Sequence, residues 1–115
     1  MYKPIAKERR KSQRVTVSLV AGETTGGKYF LPLVTDLGVD GVRIDSPSGL
    51  ERPRAHYLVL EMILPGCKEI IWARCRVVRE EKQGFFRRQA LRFVNISAVH
   101  RNMLRLYLQR CVGRA

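Results

Sequence analysis

The sequence predicts a small all-β protein, a barrel or a sandwich, closed off by one amphipathic helix. Two observations carry that prediction. Segments rich in β-branched and apolar residues recur at roughly 8–12-residue spacing, separated by Gly, Pro, Asp and Ser clusters. Only after Ser97 does the apolar period lengthen from that of a strand to that of a helix. The chain has 115 residues, enough for a single hydrophobic core without metal or disulfide staples.

Taken in order, residues 1–14 read as a flexible basic arm, and residues 15–112 as one domain. Val15-Thr16-Val17-Ser18-Leu19-Val20 alternates apolar with polar residues, the mark of a first strand. Residues 22–27 read as a turn. A second strand over residues 29–37 is interrupted by Pro32, which has no N–H for a ladder and therefore belongs at an edge or bulge. Residues 36–41 read as a tight turn carrying glycine. The third strand starts at Gly41 and stops at Ser46-Pro47-Ser48-Gly49. After an Arg- and Pro-rich loop, residues 56–64 form a fourth strand, and Pro65-Gly66 a turn. The fifth spans residues 69–79, with Ile71, Ala73, Cys75 and Val77 on one face and Arg74, Arg76 and Val78 on the other. Residues 80–84 turn the chain, and residues 85–96 return as a sixth strand. Ser97 can cap a helix whose stripe is Val99, Met103, Leu106, Tyr107 and Arg110, expected to pack on the barrel.

Charge narrows the function classes. Lys and Arg number 22 against 10 Asp and Glu, a net charge of +12. Such a surface suits an anionic partner. Most of the cations are Arg, whose flat donor fork matches phosphate oxygens and guanine edges. Cys67, Cys75 and Cys111 are too few and too scattered for a disulfide framework or a zinc site, so no metal or cofactor is expected. The start of the chain lacks the apolar core of a signal peptide, and no run approaches a membrane span. A cytoplasmic protein without membrane insertion is expected. No Ser-His-Asp set, paired carboxylates or phosphate-cradling glycine loop is present, which argues against an enzyme. Nucleic acid is a weaker fit, because the aromatics do not alternate along one strand as a base-stacking platform.

Two short constellations carry the functional argument. The first is Glu8-Arg9-Arg10-Lys11-Ser12-Gln13-Arg14, two arginines four residues apart ahead of the first strand. Arginine can bond guanine bidentately, stack on a base and pair with phosphate. The second is Asp36-Leu37-Gly38-Val39-Asp40-Gly41. Its acid can cap backbone N–H groups or accept from guanine, and its glycines permit positive φ or close approach of a ligand. A plain hairpin turn asks for the same residue types, so neither is specific alone.

Their order and spacing resemble the PilZ family, whose pattern is Arg-x-x-x-Arg followed some twenty to thirty residues on by Asp or Asn-x-Ser-x-x-Gly. Arg10 and Arg14 fit the first motif, and Asp36 and Gly41 the second. The segments Val15-Thr16-Val17, Gly41-Val42-Arg43-Ile44 and Ala90-Leu91-Arg92-Phe93 also sit where PilZ domains carry similar ones. The resemblance implies a six-stranded antiparallel β-barrel with a C-terminal α-helix, binding cyclic di-GMP on its outer face under the N-terminal arm. It implies that Arg10 and Arg14 grip guanine and phosphate, that Asp36 holds the other guanine, and that Gly41 lets the turn bend beneath it. By the same resemblance, Arg9, just before the motif, would stack on a second, intercalated dinucleotide.

Gly38 stands where the family has Ser. Losing that hydroxyl implies about 2- to 150-fold weaker binding with little effect on the fold, and a looser empty turn. The expected function is a stand-alone receptor or adaptor that passes the ligand signal to a protein of motility, secretion or exopolysaccharide machinery. The alternative is an adaptor of the same fold that needs no ligand.

Overall fold

Alternation decides most of this architecture. In β1 (Arg14–Val20), Val15, Val17 and Leu19 turn inward while Arg14, Thr16 and Ser18 face out. The computed structural model describes residues 13–49 and 55–113. Among them follow β2 (Gly22–Thr25), β3 (Lys28–Phe30), β4 (Leu33–Gly38), β5 (Gly41–Pro47), β6 (Tyr57–Met62), β7 (Ile71–Gln83), β8 (Phe86–Ile96) and the helix α1 (Ala98–Gly113). The strands form one antiparallel sheet in the order β1-β4-β5-β8-β7-β6-β2-β3. It curls into a half-barrel.

There are eight ladder segments rather than the six expected, and the reason is a bend. Only Ala21 separates β1 from β2, and only Leu31 and Pro32 separate β3 from β4. The Ala21 N–H donates to the Pro32 carbonyl at 3.0 Å, so the two breaks lie side by side. Pro32 has no N–H and cannot continue the ladder. One long hairpin is therefore folded across its middle: β1 pairs with β4, whereas β2 leaves to pair with β6. Residues 22–27, expected to be a turn, are mostly strand. The turn itself is Gly26-Gly27, both with positive φ (57° and 79°), as a two-residue hairpin of type I′ requires.

The β7–β8 hairpin is also longer than expected, with strand pairing out to Gln83 opposite Phe86. Its turn glycine, Gly84, has φ 59°. Ser48 ties the tip down, its N–H donating to the Phe85 carbonyl at 2.7 Å and its hydroxyl to the Gly84 carbonyl at 3.2 Å.

Val34, Leu37, Val42, Ile44, Leu60 and Ile71 fill the barrel interior. Cys75 joins them, and burial, with the nearby Glu23 charge adding to it, pushes its thiol up to about 12. Ser97 caps α1 as expected, its hydroxyl oxygen accepting the His100 N–H at 3.1 Å. The buried stripe of the helix is rotated from the expected one. Leu104 and Leu108 are fully buried with Met103 and Tyr107 beside them, whereas Val99 and Leu106 are 63% and 51% exposed. Only the narrow face of the helix that meets the barrel core is buried, and the sequence offered two neighbouring apolar rows. No helix among the described residues is long and apolar enough to cross a membrane.

Candidate ligand-binding site

Register brings the two sequence constellations together. Arg14 opposes Gly38 across the β1–β4 ladder, and Thr16 opposes Asp36. Arg14 faces outward, so its side chain lies over Gly38 and reaches Asp36. The Arg14 Nε to Asp36 Oδ2 distance is 3.0 Å, with the two side chains 41% and 22% exposed. In this arrangement the guanidinium already occupies the carboxylate assigned by resemblance to a guanine. An ion pair this exposed stabilises by about 1 kcal/mol at most, so a ligand can displace it at small cost. Arg9 and Arg10 lie outside the described residues.

The Asp36–Gly41 segment is less of a turn than expected. Asp36, Leu37 and Gly38 belong to β4, and only Val39 and Asp40 form the bend before β5. The bend is anchored rather than loose. Phe93 N–H donates to the Asp40 carbonyl at 2.8 Å, and Arg101 Nη1 reaches the Val39 carbonyl at 3.5 Å. β8 and α1 thus hold it from two sides.

Neither glycine of the motif has positive φ. Each is glycine because of what lies beside it. A Cβ on Gly41 would collide with the Leu91 carbonyl, whose carbon would be 3.0 Å away. Close approach of β5 to β8, rather than a bend under a ligand, excludes a side chain there. A Cβ on Gly38 would stand 2.8 Å from Arg14 Nη1 and 3.2 Å from the Gln13 carbonyl oxygen. The Arg14 side chain occupies the space that a serine there would need.

Next to the Arg14–Asp36 pair is a shallow hollow of about 190 Å³. Gly41 and Ala90 give it a low floor, and Arg14, Asp40, Arg43 and Arg92 stand around it. Chemically, a small floor ringed by guanidinium groups accepts a flat anionic ligand. Arg43 and Arg92 were read from sequence only as parts of strands. Their signal was available: each is a cation between two apolar neighbours in a strand, Val42-Arg43-Ile44 and Leu91-Arg92-Phe93, and so must point out of the barrel.

A larger hollow, about 540 Å³, opens at another part of the barrel and includes none of the motif residues. Some of its polar groups engage one another, while Arg87 Nε and Gln89 Oε1 are buried without a hydrogen bond. Gln89 Nε2 donates to Glu80 at 3.0 Å, Arg87 Nε lies 3.5 Å from Glu80, and the Thr25 hydroxyl donates to the buried Glu23. Among the described residues no cluster of His, Cys, Asp and Glu has the makings of a metal site.

The half-barrel, its closing helix and an arginine-rimmed outer hollow define a small β-barrel binding domain. The family model for the PilZ domain matches residues 8–110, and the chain belongs to the PilZ domain family. No curated protein matches it. Among solved structures it is similar to the Bacillus subtilis inhibitor of motility, MotI/DgrA, at TM-score 0.76 and 22% identity, covering 92% of this chain and 51% of that one. It is similar to Escherichia coli YcgR in complex with c-di-GMP, at TM-score 0.67 and 15% identity, covering 92% and 47%. The PilZ domain of YcgR with c-di-GMP matches at TM-score 0.64 and 15% identity, covering 92% and 95%. The chain spans about half the length of the MotI chain and of the first of these two YcgR chains. At these identities the likeness is one of fold.

Proposed function

We propose that this PilZ domain binds cyclic di-GMP and relays its presence to a partner protein, without chemistry on the ligand. The observation that carries the reading is the meeting of Arg14 and Asp36, 22 positions apart in sequence, at 3.0 Å beside the arginine-rimmed hollow. Two of the similar structures, YcgR and its PilZ domain, contain c-di-GMP, which supports the same ligand class here.

On binding, the Asp36 carboxylate accepts the N1 and N2 hydrogens of one guanine. Arg14 gives up Asp36 and turns to phosphate or to a base edge, where bidentate bonding outweighs an exposed ion pair. Arg10 joins it, and Arg9 stacks on a second dinucleotide. The ligand's negative charge thus draws the arm onto the barrel, and the surface of arm plus ligand is what a partner reads. Among the similar structures, MotI is an inhibitor of motility. A partner in motility, secretion or exopolysaccharide machinery of the cytoplasm fits this reading.

Calorimetric titration with cyclic di-GMP, beside GTP and cyclic GMP, tests it. Binding of the cyclic dinucleotide alone, lost in Arg14→Ala, is the expected result. Absence of heat with cyclic di-GMP, or an Arg14→Ala variant that binds as the parent does, overturns it.

A further inference from the structure

The charged side chains of the outer face divide into two groups. Arg14 pairs with Asp36, and Arg88 with Asp45 at 2.9 Å. Arg43, Arg76 and Arg92 make no ion pair among the described residues. Yet they are neighbours. Arg92 is opposite Gly41 on one side and opposite Arg76 on the other, and Arg43 is on the same face of β5, two residues from Gly41. Like charges set directly opposite in a sheet repel, and sheet stability alone does not favour such an arrangement. Arg43 and Arg92 also rim the same hollow as Arg14, over the low floor of Gly41 and Ala90.

We infer that Arg43 and Arg92 are two further ligand-binding residues, a second rank of guanidinium groups that takes a phosphate of the cyclic dinucleotide across β5 and β8. The inference rests on the cyclic di-GMP reading above and extends its site beyond the two motifs. Arg14 stands at the β1 edge of the hollow and Arg92 on β8 across from it, while Arg43 on β5 lies directly opposite Asp36 in the β4–β5 ladder. The side chains of Gly41 and Ala90 are too small to keep a ligand off the sheet between them. Arg76 stands behind Arg92 and raises the local positive potential without reaching the hollow. An anion seated beside Arg92 offsets the repulsion between Arg76 and Arg92.

The test is a set of single substitutions titrated with cyclic di-GMP at fixed salt, with melting temperatures recorded for each. Removing a charge-assisted bond to phosphate weakens binding about 10- to 100-fold, and that is the loss expected for Arg43→Ala and for Arg92→Ala. Lys28→Ala, which removes the same charge from the exposed strand β3, is expected to change affinity less than about twofold, since long-range charge is screened. The Arg92→Ala variant is expected to melt at or above the parent temperature, because it removes a like-charge pair. If Arg43→Ala and Arg92→Ala bind like Lys28→Ala while Arg14→Ala loses binding, the inference fails and the function stands. A parent protein that binds no cyclic di-GMP overturns both. Affinity loss accompanied by a lower melting temperature assigns the two arginines a structural role and also overturns the inference.

Discussion

Replacing Gly38 by Ser and, separately, by Ala isolates the position where this chain departs from the family pattern. Both substitutions add the same Cβ. It would lie 2.8 Å from Arg14 Nη1 and 3.3 Å from Arg14 Cγ. The nearest atom is the end of a flexible side chain, so Arg14 swings away and the backbone stays. The stability cost is then the loss of the Arg14–Asp36 ion pair, about 0.2–1 kcal/mol for so exposed a pair. Contact with the Gln13 carbonyl at 3.2 Å adds a shift of a few tenths of an ångström. Both variants should therefore unfold in urea within about 1 kcal/mol of the parent. Binding separates them. The serine hydroxyl adds one hydrogen bond, about 0.5–1.5 kcal/mol to a neutral group and 1.5–3 to a phosphate, which is roughly 2- to 150-fold in affinity. Alanine adds none and should bind no more tightly than glycine. Calorimetry with cyclic di-GMP on the three proteins reads this directly. A serine variant that binds no better than the alanine variant, or a loss beyond about 2 kcal/mol in either, refutes the reasoning about what occupies that space. The first of those outcomes also favours an adaptor that works without ligand.

Four further outcomes follow from the same fold. Gly41→Ala forces a side chain against the backbone of β8, and urea unfolding should show a loss of about 3 kcal/mol or more, the upper range for overpacking; a loss under 0.5 would mean β5 and β8 are not so close. Leu104→Ala should cost about 2–5 kcal/mol and Leu106→Ala under about 1, since only the first is buried against the barrel. The Cys75 thiol, raised from its ordinary 9.0 to about 12 by burial, binds its proton more tightly folded than unfolded. Its contribution to stability is full below pH 9 and is lost as pH rises toward 12, so denaturant midpoints should fall from pH 8 to pH 11 less steeply in Cys75→Ala than in the parent. In the folded protein at pH 8, alkylation should modify Cys67 and Cys111 ahead of Cys75.

The sheet was legible because alternation is local. The inward faces of β7 and of β1 could be read from their own residues, and so could the Ser97 cap. The positions of the bends were not legible. Residues 22–25 contain Gly and two Thr beside a buried Glu23, and on composition they look like a turn. They are a strand because β6 is there to pair with them, which is a tertiary fact. The helix face misread had the same origin, since packing against the barrel core decides which of two apolar rows it buries. At the site, the residues were found but the reasons for the glycines were not. A motif glycine suggests an unusual φ, whereas Gly38 and Gly41 are crowded out by Arg14 and by β8, neighbours that only the register reveals.

The fold across the long hairpin has a consequence for how such a domain tolerates change in length. Arg14 and Asp36 meet because β1 and β4 align on the near side of the crease at Ala21 and Pro32. Everything beyond the crease, including the Gly26-Gly27 tip, lies outside that alignment. Residues gained or lost at the tip alter how far the hairpin reaches past β6 and leave the meeting point where it was. The count of residues between the two motifs can therefore drift while their geometry is conserved.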